Sequence, residues 1–185
     1  MSLTQYYTAT TLDGFIADPN HSLDWLFTRK RDPGGPLNSD DFFAEVGAMA
    51  MGSSTYEWVL DHEFADKDPA DWKWPYETPC WVFTHRRLPV VPGAPIEFTR
   101  GDVAPVHEAM ARAADGRNVW IVGGGDLVGQ FADAGLLDEV LVSVAPVTLG
   151  AGAPLLPRRL ELRLDDVGRN GDFVAARYSV VRPTA

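Results

Sequence analysis

Three consecutive glycines, Gly123 to Gly125, stand between an apolar run and a helical pattern, and their position suits them to bind a ligand. Val119 to Val122 is typical of a buried strand, and Leu127, Val128 and Phe131 fall on one face of the following helix. Glycines let a backbone approach a phosphate closely, and the first N–H groups of a helix favour an anion. The pattern predicts a phosphate-binding turn, with a purely structural strand-to-helix turn as an equal alternative.

Other chemistries fit the sequence poorly. A Rossmann fingerprint would need glycine at Val128, and a P-loop would need lysine at Gln130. The four histidines are scattered, and His62 lacks the second histidine of a zincin helix, so we predict no metal site. The serines that follow Gly52 lack the closing glycine of a nucleophile elbow, which disfavours a hydrolase.

A second candidate contact follows another apolar run. Thr84, His85, Arg86 and Arg87 come directly after Cys80–Phe83, which is typical of a buried strand. Open α/β sheets bind ligands at the carboxyl ends of their strands, and two arginines there would suit a 2′-phosphate. A solvated loop with ordinary surface charges is the alternative, and this segment alone favours that alternative.

Composition sets the class of protein. The chain has 185 residues, of which 45% are hydrophobic and 23% charged, and we expect residues 1–185 to form a single domain. The formal net charge of -10 disfavours nucleic acid and anionic membranes as partners. No segment is typical of a signal peptide or a membrane span, so we expect a cytoplasmic protein.

Strand-like and helix-like segments alternate along the chain, which predicts an α/β fold. Asp13-Gly14 predicts a turn between two extended pieces, and a short helix is expected to follow Asn38 and to end near Gly47. Asp61 to Pro79 has no regular period and is expected to be a loop. Asn170-Gly171 predicts the turn of a C-terminal antiparallel hairpin.

Several segments together carry a resemblance to a known family; they are Ala48 to Glu57, Trp81 to Arg86 and Val119 to Gly125. Their order and spacing resemble the dihydrofolate-reductase-like superfamily over almost the whole chain. Thr11 to Ala17 and Leu136 to Gly150 resemble more closely the C-terminal reductase domain of the riboflavin-biosynthesis protein RibD and its stand-alone relatives.

The resemblance implies a three-layer αβα fold with a mixed, mostly parallel eight-stranded sheet and a C-terminal antiparallel hairpin. It also implies a homodimer, and it implies that NADPH lies along the carboxyl ends of the strands. The residues implied to contact this cofactor are Gly52, Ser53, Thr55, Thr84, His85, Arg86, Val122, Gly123, Gly124, Gly125, Asp126 and Leu127. Ser53 stands where many relatives have arginine, so Arg86 or Arg87 would have to recognise the 2′-phosphate.

The activity implied is that of an NADPH-dependent oxidoreductase that passes hydride to a small heterocyclic substrate. The nearest named activity is 5-amino-6-(5-phosphoribosylamino)uracil reductase of riboflavin biosynthesis. Ala9, Asp13, Trp25 and Ser143 would border the substrate, and Asp41 is the candidate proton donor. The alternative for Asp41 is an acid that stabilises the first turn of a helix.

The sequence leaves two alternative functions open. One is a nucleotide-binding module without turnover, and the other is a dihydrofolate or xenobiotic reductase on the same fold. Trp72, Trp74 and Tyr76 could cover or line the substrate pocket, or they could pack in the core or in a dimer interface, with equal support from the sequence.

Overall fold

The computed structural model describes residues 2–182. The ten strands are β1 (Thr4–Thr11), β2 (Phe15–Ala17), β3 (Val46–Gly52), β4 (Cys80–Phe83), β5 (Ile96–Thr99), β6 (Asn118–Gly123), β7 (Glu139–Ala145), β8 (Ala153–Pro154), β9 (Leu162–Asn170) and β10 (Phe173–Val180). The five α-helices are α1 (Asp24–Phe27), α2 (Ser39–Ala44), α3 (Ser53–Phe64), α4 (Val103–Ala114) and α5 (Gly125–Asp133).

Eight of these strands form one sheet in the order β5-β4-β3-β6-β1-β7-β10-β9. The first six strands in this order run parallel to one another, whereas β10 is antiparallel to β7 and to β9. This arrangement confirms the mixed, mostly parallel eight-stranded sheet and its C-terminal hairpin. Strands β2 and β8 form a separate antiparallel pair.

Helices cover the sheet on both faces, which produces three layers. On one face, α4 and α5 pack through Met110 and Phe131 against Ile121 and its neighbours. On the other face, α2 and α3 pack through Phe42 and Tyr56 on side chains of the central strands. The six residues of β3 from Val46 to Met51 are all buried, because both faces of this central strand are covered.

Two local predictions were wrong. The helix after Asn38 ends at Ala44 instead of Gly47, because the chain has already entered β3 at Val46. The segment from Asp61 to Pro79 is not wholly a loop, since α3 continues to Phe64 and a single 3-10 turn follows at Pro69–Asp71. The predicted turn at Asp13-Gly14 between two extended pieces is confirmed: the pieces are β1 and β2, and the strand partner of β2 is β8, which lies far along the sequence.

None of the helices between residues 2 and 182 is long and apolar enough to span a membrane. The hairpin at the sheet edge leaves several large apolar side chains exposed, among them Leu164, Val167 and Val174. The homodimer implied by the resemblance stays a prediction, and this hairpin is the surface at which we would look for it first.

Gly47 gives a direct test of the packing between α4 and β3. A Cβ atom at Gly47 would overlap the backbone of Ala114 at the end of α4, whereas one at the exposed Gly34 would meet nothing closer than 3.7 Å. We expect Gly47→Ala to lower the free energy of unfolding by about 1–3 kcal/mol, as overpacking of a tight interior does. Denaturant unfolding measures the difference, with Gly34→Ala as the near-neutral control; equal stability of both variants would contradict this packing.

Candidate functional site

The carboxyl ends of six parallel strands meet at one edge of the sheet. At this edge β3 and β6 are neighbours, and Met51 pairs with Gly123. Each of these two strands runs almost directly into a helix, since α3 begins at Ser53 and α5 begins at Gly125. Two helix N-termini therefore lie side by side at the strand-end edge.

The three glycines of the β6–α5 turn differ in backbone conformation and in the space around them. Gly123 has φ +140°, which favours glycine. Gly125 has an ordinary role in packing, because a Cβ atom there would overlap the carbonyl oxygens of Pro154 and Leu155. At Gly124 a Cβ atom would have the Cδ1 of Ile16 as its nearest neighbour, at 4.0 Å. Gly124 is thus the glycine whose missing side chain leaves open space.

Both helices begin without a side-chain cap. The N-cap residues are Gly52 for α3 and Gly124 for α5, and neither has a side chain that could accept a bond from the first amides of its helix. The first N–H groups of both helices therefore face the strand-end edge without a side-chain cap from residues 2–182, and so do the positive ends of the helix dipoles. Such a pair of helix ends favours an anion, and a diphosphate offers two adjacent anionic groups.

The residues predicted to contact one cofactor come together around this turn. A Cβ atom at Gly52 would lie 3.8 Å from the carbonyl oxygen of Gly123 and from the amide nitrogen of Gly124. The Thr55 hydroxyl on α3 lies 3.8 Å from the position of a Cβ atom at Gly123. Ser53 is the first residue of α3 and is partly exposed. The structure thus gathers Gly52, Ser53, Thr55 and the glycine turn into one small region.

The start of α5 and the end of β6 are less open. Leu127 is 7% exposed and packs in the core, so it can offer a ligand only its backbone amide. Val122 is partly buried against the opposite core. Asp126 carries a negative charge in the first turn, but its carboxylate accepts hydrogen bonds from Gln130 and Arg158 at 3.1 and 3.0 Å. These two partners lower the pKa of Asp126.

Arg86, the predicted phosphate ligand, already has an anionic partner. Its Nη1 and Nη2 donate to the two carboxylate oxygens of Glu57 at 2.9 and 2.6 Å. The Thr84 hydroxyl accepts a hydrogen bond from the Arg86 amide at 3.0 Å, which fixes the turn after β4. His85 and Arg87 are exposed. A 2′-phosphate at this place would have to compete with Glu57 for Arg86.

Two of the predicted substrate residues, Ala9 and Ser143, lie on one face of β1 and β7 near the same edge. Ala9 pairs in register with Ser143, which is 2% exposed. Trp25 of α1 packs on Ala145 and Phe173 and is 9% exposed. The helix α1 therefore covers the ends of β7 and β10, close to the paired Ala9 and Ser143.

Asp13 holds a loop in place. Its carboxylate accepts hydrogen bonds from the amides of Leu149 and Gly150, at 3.0 and 2.7 Å, and from the Thr11 hydroxyl. The bond from Thr11, together with those from the two amides, lowers the pKa of Asp13. Asp13 thus fastens the loop after β7 to the β1–β2 turn, and a contact with substrate stays a prediction.

Asp41 lies away from the strand-end edge. It is exposed in the first turn of α2, where Asn38 caps the helix: the Asp41 amide donates to Asn38 Oδ1, and Asn38 Nδ2 donates to Asp41 Oδ2. Asp41 lines a cavity of about 510 Å³ with Gln5 and Glu139, at the amino-terminal ends of β1 and β7. This placement matches the alternative of a helix-stabilising acid and gives no support to a role in proton transfer.

The aromatic loop lies at the opposite edge from the glycine turn. Trp72, Trp74 and Tyr76 pack against the core beside α3 and line a cavity of about 480 Å³ with the segment 92–95. Because this segment precedes β5, the cavity lies where the parallel strands begin. The core-packing alternative therefore describes these three residues.

Two features of the site were missed by reasoning from the sequence. Glu57 lies in the middle of a helical pattern and pairs with an arginine 29 residues away, so no local signal could have revealed the pair. Ile16 approaches Gly124 because β2 pairs with β8 across the chain. Both contacts arise from long-range topology.

Comparison with known proteins identifies the same family as the resemblance in the sequence. The RibD C-terminal domain family matches residues 4–169 of the chain. The uncharacterized protein YwjB of Bacillus subtilis (strain 168) is 33% identical over 186 residues, which cover 95% of this chain and 96% of that protein.

Solved structures share the fold. A putative riboflavin biosynthesis protein from Shewanella sp. PV-4 has a TM-score of 0.79 at 24% identity, over 97% of this chain and 99% of that one. The Thermotoga maritima diaminohydroxyphosphoribosylaminopyrimidine deaminase/5-amino-6-(5-phosphoribosylamino)uracil reductase has a TM-score of 0.62 at 15% identity, over 97% of this chain and 57% of that one. Dihydrofolate reductase from Enterococcus faecalis, complexed with NADP(H), has a TM-score of 0.53 at 15% identity, with 96% of each chain covered. The dihydrofolate-reductase-like fold is confirmed.

The loop anchored by Asp13 should respond to pH. The lowered pKa means that the ionised carboxylate holds the loop at pH above its ordinary value of 3.8, and that this stabilisation is lost as the pH falls through the lower pKa of the folded protein. We expect Asp13→Asn to speed hydrogen exchange at the Leu149 and Gly150 amides at neutral pH. The effect should shrink in acid, where the wild-type carboxylate is also protonated.

The Asn20 amide provides an internal control, because it donates to Asp18 and not to Asp13. Its exchange should not change in the variant. Unchanged exchange at Leu149 and Gly150 at pH 7 would show that the loop does not depend on Asp13.

Proposed function

Because the chain belongs to the RibD C-terminal domain family, we propose that it is a reductase that binds NADPH at the β6–α5 turn and reduces a small heterocyclic substrate. The observation that carries this proposal is the pair of uncapped helix N-termini at the ends of the neighbouring strands β3 and β6. Family membership supports an oxidoreductase, and the open space at Gly124 supports a ligand at this turn.

The residues at the turn fit a dinucleotide diphosphate. The first amides of α5 would donate to it from Gly125, Asp126 and Leu127, while the hydroxyls of Ser53 and Thr55 would donate from α3. The whole chain carries a net charge of -10, so attraction to the anion must be local and must come from these amides and hydroxyls. NADPH, when bound, would supply the hydride.

The protein's own contribution would be mainly orientation. Trp25 would cover the substrate, and the paired Ala9 and Ser143 would form the floor beneath it. Holding two reactants in the correct geometry accounts for a large part of the rate enhancement in such reactions. The nearest named activity is 5-amino-6-(5-phosphoribosylamino)uracil reductase, which is part of the name of the Thermotoga maritima protein. This chain spans 57% of that protein.

A binding module without turnover is the second candidate, and the position of Asp41 favours it. The carboxylate considered as proton donor lies at the far ends of β1 and β7 and bonds to Asn38. Calorimetric titration with NADPH followed by an oxidation assay would separate the two functions. Binding together with oxidation on a panel of pteridines, pyrimidines and quinoid compounds supports the reductase. Binding without oxidation on the whole panel supports the module.

Gly124 offers the sharpest test of the nucleotide site. Its φ of -73° and ψ of 179° lie in the ordinary extended region, and a Cβ atom there would have no neighbour closer than 4.0 Å. We expect Gly124→Val to fold and to weaken NADPH binding by about 100-fold, because the new side chain would occupy the space in front of the α5 amides. Calorimetry measures the affinity.

Gly34→Val is the matched control, because Gly34 is an exposed loop glycine with no close neighbour. It should bind NADPH like the wild type. Wild-type affinity in Gly124→Val, with its unfolding midpoint preserved, would refute the proposed site.

The Glu57–Arg86 pair should affect the choice between NADPH and NADH. Replacing Glu57 by Gln would remove the carboxylate that holds the Arg86 guanidinium and would release this cation for a 2′-phosphate. We expect the affinity ratio of NADPH to NADH to rise about tenfold, which is the usual scale of one charge-assisted hydrogen bond.

Arg86→Gln should change the same ratio in the opposite direction, and Glu97→Gln on the exposed part of β5 should leave it unchanged. An equal ratio in all four proteins would show that Arg86 lies outside the cofactor site.

A further inference from the structure

Asp126 places a carboxylate in the first turn of the helix that is proposed to bind the diphosphate. The N-cap of α5 is Gly124, so Asp126 is the second residue of the helix. Its side chain is 70% exposed. A negative charge at this position stabilises the helix by itself but repels an anionic ligand at the same helix end. This repulsion has to be reduced if a diphosphate is to bind at the α5 amides.

Two side chains hold the Asp126 carboxylate. Gln130 Nε2 donates to its Oδ2 at 3.1 Å, and Arg158 Nη2 donates to its Oδ1 at 3.0 Å. Gln130 lies one turn further along α5, so the carboxylate is drawn along the side of the helix toward the carboxyl end. Arg158 also brings a positive charge, which offsets that of the carboxylate.

The Arg158 side chain lies along the surface of α5. Its Nε donates to Oδ2 of Asp133, the last residue of the helix, at 2.9 Å, and its Nη1 donates to the Pro157 carbonyl at 2.9 Å. A Cβ atom at Gly129, between the two acids, would lie only 2.9 Å from Arg158 Cγ and 3.0 Å from Cζ. Glycine at this position therefore leaves the space that the arginine occupies.

The backbone that carries Arg158 is itself packed on the start of α5. The carbonyl oxygens of Pro154 and Leu155 lie where a Cβ atom at Gly125 would be. With a side chain 29% exposed, Arg158 is the least exposed of the arginines that form ion pairs between residues 2 and 182. The contact between Arg158 and Asp126 is thus built into the structure and is partly shielded from solvent.

We propose that Arg158 is a positioning residue for the nucleotide diphosphate: it holds and neutralises the Asp126 carboxylate, so that the α5 amides can accept an anion. Arg158 acts through Asp126 and not by touching the ligand. Without it, an unmatched negative charge at the second helix position would repel the diphosphate. This inference rests on the proposed function, because it names a residue that prepares that same site.

A double-mutant cycle on Arg158 and Asp126 tests the proposal. Calorimetry measures the NADPH affinity of the wild type, of Arg158→Gln, of Asp126→Asn and of the double variant, at low ionic strength. We expect Arg158→Gln to weaken binding about fivefold when Asp126 is present, and less than about twofold in the Asp126→Asn background. The fivefold effect should shrink at high salt, which screens the repulsion.

Arg159→Gln is the matched control for the loss of one positive charge. The Arg159 side chain is 93% exposed and pairs with Glu161 at 3.5 Å, and the variant should keep the NADPH affinity within about twofold of the wild type. An equal loss from Arg158→Gln in both backgrounds would overturn the inference, because the bonds to Asp133 and Pro157 would then account for it. No loss in the wild-type background would overturn it as well.

The wild-type titration separates this inference from the proposed function. If the wild type binds NADPH and the cycle shows no coupling, only the role of Arg158 is refuted. If the wild type does not bind NADPH, the proposed function is refuted, and the cycle is repeated with inorganic pyrophosphate. The same dependence on Asp126 would then support the role of Arg158 at a simple anion site, and any other result with pyrophosphate would overturn it.

Discussion

The site depends on one constraint: two neighbouring parallel strands each pass into a helix with almost no loop between them. The ends of β3 and β6 are held side by side by the sheet ladder, so the starts of α3 and α5 must also be adjacent. Glycine stands in both short connections, as Gly52 between β3 and α3 and as Gly123 to Gly125 between β6 and α5. Because glycine cannot cap a helix with a side chain, the compact turn and the free amides have the same cause.

The sequence predicted the central architecture well because its signals were local. Apolar runs that end in glycine marked β3 and β6, and the Asn170-Gly171 turn marked the final hairpin. The glycine turn and the threonine of α3 came together as expected. The ends of helices and strands were predicted less accurately where one residue could suit two elements. Gly47 is the example: it is typical of a helix end but lies in β3, where it admits the backbone of α4.

The parts of the site that the sequence did not predict are contacts between distant segments. Arg86 was predicted to bind a 2′-phosphate, but the fold brings Glu57 to it. Asp41 was the candidate proton donor, but α2 places it in its own capping pair with Asn38. The burial of Trp25 also depends on β10, which lies almost 150 residues away along the chain. Charge and hydrogen-bond partners are properties of the fold, and local pattern carries little information about them.

Hydrogen bonds hold the segment between β7 and β9 to the body of the protein. The Leu12 amide donates to the Val147 carbonyl, the Leu155 amide donates to the Gly14 carbonyl, and the Tyr6 hydroxyl donates to the Leu155 carbonyl. The helix α1 packs on this segment, since Trp25 shares an apolar cluster with Val147 and Leu149. It has only four residues and no side-chain cap, so side-chain packing is its main attachment. We expect α1 to open locally more often than the segment beneath it, which hydrogen bonds hold in place.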